Sequence, residues 1–107
     1  MIEKIRIVFI SLPRDEVKRI ARGLVENRLA ACVNIIPRIE SYYRWDDRVE
    51  HDEEALLFVK TTSDKFEDLR TWVIDNHPYD LPEIIAVPLS EGNSDYIAWI
   101  KMEMEAP

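Results

Sequence analysis

Residues 30–61 hold two extended runs joined by one tight turn, and a pair of that length limits what the rest of the chain can be. Ala30 to Ile36 reads as a strand. Pro37 interrupts it, because proline has no N–H to give to a sheet ladder. The strand then resumes with Ile39, Ser41, Tyr43 and Trp45 on one face and Tyr42 on the other, since side chains alternate along a strand. Asp46-Asp47 suits a turn. A third strand follows near Glu54 to Thr61, carrying the apolar block Ala55-Leu56-Leu57-Phe58-Val59. So long a hairpin in a chain of 107 residues exposes edges unless another chain pairs with them.

The flanks complete an alternating order. Ile5 to Ile10 is a first strand with little polar face. Pro13 permits a helix to start, and Asp15 and Glu16 favour its positive end. Val17, Ile20, Ala21, Leu24 and Val25 recur at helical spacing, and Asn27 or Arg28 ends that helix. A second helix carries Phe66, Leu69, Trp72, Val73 and Ile74. Asp64 and Glu67 have the spacing of a capping box, Ser63 is an alternative cap, and Pro78 stops the helix. Glu83 to Val87 is a short fourth strand between Pro82 and Pro88, and Asn93 or Ser94 caps a last helix with Tyr96, Ile97, Trp99 and Ile100. The order β-α-β-β-α-β plus a C-terminal helix predicts an α+β fold, the ferredoxin-like split βαβ sandwich with a long central hairpin, as a single domain over residues 1–107. Strands one, three and four are apolar on both faces. The last helix covers part of the second face, and a partner subunit is the natural cover for the rest.

Charge narrows the function. Twenty-one acids against 14 Lys and Arg residues give a formal charge of -7. That gives no support to a general nucleic-acid or anionic-membrane binder, which needs local positive charge. The single cysteine, Cys32, cannot form an intramolecular disulfide, so no oxidising compartment is required. Glu3, Lys4 and Arg6 break up any signal-peptide core, and no stretch approaches the roughly 18 apolar residues of a membrane span. A cytoplasmic location is the expectation.

The richest chemistry lies in His77-Pro78-Tyr79-Asp80-Leu81-Pro82-Glu83, where two prolines stiffen a connection holding an imidazole, a phenol and two carboxylates. His77 can cap its helix, ligate a metal, or act as an acid or base. Cys32 sits in an apolar strand, where it is either a small buried hydrophobe or a metal ligand. His51 lies in the acidic stretch Glu50 to Glu54, a solvated loop or a weak divalent-cation patch. Tyr42, Tyr43 and Trp45 form an interface anchor or a stacking surface. Lys60 closes a strand-end salt bridge or binds an anion, and Trp72 and Trp99 pack on helix faces. The chain has no Cys-x-x-Cys, no His-Glu-x-x-His, no glycine-rich phosphate loop and no nucleophile elbow.

Leu29 to Pro37, Ser41-Tyr42-Tyr43-Arg44-Trp45, Leu57 to Thr61, His77-Pro78-Tyr79 and Pro82-Glu83-Ile84-Ile85 occur in an order that closely resembles the CutA family, the divalent-cation tolerance proteins. The resemblance covers residues 5 to 101. It implies a ferredoxin-like subunit in a homotrimer similar to that of the PII signalling proteins, with the long hairpin extending sheets between subunits. It also implies a link to copper and other divalent metals without an attached enzymatic reaction. Some relatives place a cysteine before the first-helix proline, where this chain has Leu12, and a histidine pair where it has Asn76-His77. Loss of a thiol and an imidazole weakens affinity for copper, which prefers S and N ligands. His77 and Cys32 remain as metal candidates. Trp45, Lys60, Tyr79 and Glu83, with His77, are expected around an inter-subunit cleft. The leading expectation is a non-enzymatic homotrimer in divalent-metal tolerance, with Cu²⁺ or another divalent cation weakly bound. The alternatives are a PII-like scaffold holding a small molecule or partner protein in the cleft, and a small hydrolase or isomerase using His77 and Glu83.

Overall fold

A computed structural model describes residues 1–106. Strands β1 (Ile5–Leu12), β2 (Cys32–Trp45), β3 (Arg48–Thr62) and β4 (Ile84–Pro88) form one antiparallel sheet in the order β2-β3-β1-β4. Helices α1 (Val17–Glu26) and α2 (Phe66–Asn76) lie on one face, and α3 (Ser94–Glu105) ends the chain. This is the expected mixed α/β arrangement with an antiparallel sheet.

Strand periodicity divides the sheet into two faces. Val8, Ile10 and Leu12 of β1 lie opposite Val59, Leu57 and Ala55 of β3. They pack against Ile20 and Leu24 of α1 and Leu69 and Val73 of α2 as the main core. Each fully buried Leu or Ile of this kind contributes about 1.5–3 kcal/mol. The other face carries Phe9 edge-on to Phe58 at 5.4 Å, together with Ile36, Leu56, Ile85 and Val87 by register. Helix α3 covers only one end of the sheet, where Ile97, Ile100 and Met104 bury Ile5.

Several local expectations are corrected. Pro37 does not interrupt the second strand: β2 runs through it. Ile36 lies opposite Leu56 while Ile39 lies opposite Glu54, so β2 holds one extra residue at a bulge that absorbs the proline. Arg14 Nε donates to the Pro37 carbonyl at 3.0 Å and ties that bulge to the start of the α1 segment. The third strand begins at Arg48, not near Glu54. Asp46 and Asp47 both adopt left-handed φ, 50° and 62°, a two-residue turn whose twist lets pairing continue directly on either side. The expected capping box is absent, since α2 begins at Phe66 after a 3-10 turn over Ser63–Lys65 and has no side-chain cap. Asn93 does cap α3, its side chain accepting from the Asp95 N–H at 3.2 Å. Trp72 packs as expected, whereas Trp99 is 37% exposed and stacks on Tyr96.

The outer half of the hairpin, residues 39–54, pairs only with itself, because β1 meets β3 no further than Ala55. The molecule is therefore elongated, 44 × 26 × 22 Å. Its radius of gyration is 14.5 Å, against about 13 Å for a compact chain of this length. Among the described residues no helix is long and apolar enough to cross a membrane.

Candidate functional site

Where β1 ends, the hairpin continues alone as an arm, and the connection from α2 to β4 folds against its root. Glu54 stands at that root, in step with Leu56 and Phe58 on β3, and is only 6% exposed. The Tyr79 hydroxyl donates to Glu54 Oε2 at 2.9 Å. Tyr79 is held by His77, whose Nδ1 accepts the Tyr79 backbone N–H at 3.1 Å. His77 Nε2 donates in turn to the Ser11 carbonyl at 2.8 Å, and the Ser11 hydroxyl donates to Glu83 Oε1 at 3.2 Å. One chain of hydrogen bonds thus joins the end of β1, the Pro78–Pro82 connection and β3.

The arm and this connection enclose a wide concavity of about 900 Å³. Tyr43, Trp45 and Asp52 line it from the arm, and Tyr79, Leu81 and Glu83 from the connection. The Tyr43 hydroxyl donates to Asp52. That bond to a carboxylate pushes the Tyr43 phenol up to about 12. Burial, then the bond to Glu54, pushes Tyr79 up as well. Both phenols are neutral donors whose hydrogens are committed to acids.

Trp45, Tyr79 and Glu83 all line this concavity. Lys60 lies elsewhere. It sits six residues along β3 from Glu54, about 20 Å at the usual strand rise. There Nζ contacts Asn34 Oδ1, lies 3.6 Å from Cys32 Sγ, and sits over the Phe58 and Tyr96 rings. The two metal candidates are not brought together. Cys32 pairs with Lys60 while His77 contacts Ser11, which pairs with Leu56, so about 13 Å of strand separates them. Both His77 nitrogens are engaged, and neither bond caps α2. Cys32, half-buried, has a lysine ammonium beside it, which disfavours a second cation. Among the described residues no three His, Cys, Asp or Glu side chains converge on a point that would hold a metal ion. The residues present therefore do not fit a divalent ion within one chain. His51 stacks on Tyr42 at 4.3 Å and contacts Glu40 at 3.1 Å, on the arm's other face.

Sequence reasoning did not single out Glu54, Asp52, Ser11 or Tyr43 as members of one site. The signal for it was an acid, Glu54, in phase with the apolar row Leu56 and Phe58.

Residues 6–103 match the family model described as CutA1 divalent ion tolerance protein. The chain is 51% identical over 96 residues to the divalent-cation tolerance protein CutA of Thermus thermophilus, covering 89% of this chain and 93% of that protein. It is 47% identical over 93 residues to a Xenopus laevis CutA homolog, covering 86% of this chain and 62% of that protein. Against human Protein CutA it is 43% identical over 99 residues, covering 92% of this chain and 55% of that protein. The chain thus spans little more than half the length of some relatives. Among solved structures, a divalent cation tolerance protein of Thermus thermophilus superimposes with a TM-score of 0.86 at 50% identity, covering 90% of this chain and 94% of that one. The CutA of Xylella fastidiosa does so with a TM-score of 0.91 at 37% identity, covering 95% and 99%. The family is linked by its description to divalent-ion tolerance. By sequence and by backbone alike, this chain belongs to the CutA1 divalent ion tolerance family.

Proposed function

We propose that the chain acts as a homotrimer in divalent-cation tolerance, responding to ions without turning over a substrate. The observation that carries this reading is the uncovered second face of the sheet. Helices cover the first face, yet Ile36, Ile85 and Val87 are 41%, 54% and 43% exposed in the single chain. An apolar face of this kind suits packing against further copies. The free edge of β2 along the arm offers strand pairing to a neighbour. The number three rests on the family resemblance. Copper contact in this reading is weak, because Cys32 and His77 are apart and copper favours S and N ligands.

Light scattering on the purified protein should give the mass of three chains; a single-chain mass sinks the assembly. Calorimetric titration of Cu²⁺ into demetallated protein, repeated with His77→Gln and Cys32→Ser, tests the metal. Tight stoichiometric binding lost in either variant supports a dedicated site. Weak binding unchanged in both assigns the ion to scattered surface carboxylates and removes copper carriage.

The concavity favours a second reading, a scaffold that holds a small molecule or partner. Its volume of about 900 Å³ falls within the range of ligand pockets, roughly 300–1,000 Å³. Ligands that raise the melting temperature of the wild type, with the shift lost in Trp45→Ala, would support it.

A further inference from the structure

We propose that His77 is a proton-operated latch: neutral, it holds the Pro78–Pro82 connection to the sheet, and protonated, it releases Tyr79 and loosens that wall of the concavity. The two partners of the ring fix its state. A backbone N–H only donates, so Nδ1, 3.1 Å from the Tyr79 nitrogen, carries no hydrogen. A carbonyl only accepts, so Nε2, 2.8 Å from the Ser11 oxygen, carries the ring's one hydrogen. A proton taken from solvent has no place but Nδ1, where it faces the Tyr79 N–H donor to donor. The Tyr79 N–H then has no acceptor.

Little else holds this connection. Among the described residues no backbone–backbone hydrogen bond ties residues 78–82, so the bonds from His77 to Tyr79 and from Tyr79 to Glu54 fix its path. His77 is only 8% exposed, and an imidazolium buried there needs a counter-charge. Both nitrogens meet backbone groups instead of a carboxylate. Glu54 of β3 stands behind the Tyr79 hydroxyl, and Glu83 behind the Ser11 hydroxyl of β1. From α1, Arg19 donates to the Asn76 carbonyl at 3.0 Å, next to His77, and pairs with Glu16. Asp75 and Asp80, its nearest acids in the chain, are exposed. The carbonyl end of α2 attracts a cation to this point, in opposition to the two bonds that require the neutral ring.

Amide hydrogen exchange at Tyr79, read by NMR on the assembled protein in EDTA, tests this with no metal ion competing for the ring. Protection of the Tyr79 N–H, corrected for its intrinsic exchange rate, should fall about tenfold between pH about 8 and about 5.5, the range in which histidines change charge. The midpoint of that fall should match the titration of the His77 ring protons. At pH about 8 the His77 nitrogen shifts should report a hydrogen on Nε2 alone. His77→Gln offers a donor and an acceptor but does not titrate, so protection should stay level in it. A fall that persists in His77→Gln belongs to Glu54 or Glu83 and overturns the proposal. A level wild-type profile overturns it too, as does one that follows His51 or neither histidine. If His77→Gln does not fold, the match or mismatch of the two wild-type midpoints decides.

Discussion

Tyr79 supplies the one hydroxyl that reaches Glu54, a carboxylate that β3 otherwise buries. Tyr79→Phe leaves that oxygen without its donor, and urea unfolding should show a loss of about 1–3 kcal/mol; an unchanged midpoint would mean that water replaces the phenol. The same contact predicts an alkaline limit. Folding raises the Tyr79 and Tyr43 phenols above their unfolded value, which is about 10. Folding therefore favours the protonated form. The resulting stability is complete below pH about 10 and is lost as pH rises towards the folded-state values. Urea midpoints should be level from pH about 8 to 9.5 and then fall, less steeply in Tyr79→Phe. The sequence made Tyr79 and Glu83 conspicuous because each directly follows a proline, Pro78 and Pro82, in one short connection. Glu54 was hidden, since an acid at the front of an apolar block also reads as a solvated strand end, and its partner is 25 residues away. Alternation along β3 sets Glu54 on the face of Leu56 and Phe58, but its burial depends on the distant connection whose Tyr79 reaches it.

At the scale of elements, α1 was legible because its buried residues Val17, Ile20, Ala21 and Leu24 keep a helical period. The start of β3 was not, because residues 48–53 are mostly polar and are held by pairing across the arm rather than by a core. The start of α2 was missed for a related reason: a 3-10 turn replaces the side-chain cap that the Asp64 and Glu67 spacing suggested. Packing between α1 and α2 depends on Gly23, where a Cβ would lie 2.6 Å from Trp72 Cζ2. Alanine is the better helix former by about 1 kcal/mol, yet overpacking costs about 1–3 kcal/mol. Gly23→Ala should therefore lower the melting temperature, and a rise would show that the indole can swing aside. Asn93→Ala removes the α3 cap and should cost about 1 kcal/mol in chemical unfolding.

At the scale of the whole molecule, the apolar second face and the projecting arm are two statements of one incompleteness. Ile85→Asp puts a charge in the centre of that face, opposite Phe9. Light scattering should then report single chains, with the circular dichroism of the helices retained; an intact assembly would place the interface elsewhere. Tyr43→Ala or Trp45→Ala should weaken assembly as well, if the arm reaches a neighbour. The pattern of apolar residues revealed that some cover was missing, but no single sequence can count the copies that supply it. The bulge at Pro37 has a further consequence. By adding one residue to β2 but none to β3, it sets the phase of β2 beyond it. Pairing that ran straight through residues 36–39 would set Ile39 against Glu53 in place of Glu54. Tyr42 and Arg44 would then come to the inner side, and Tyr43 and Trp45 would go to the outer. Length and composition would be unchanged, yet the strand would present the wrong side, a frameshift written in space rather than in codons.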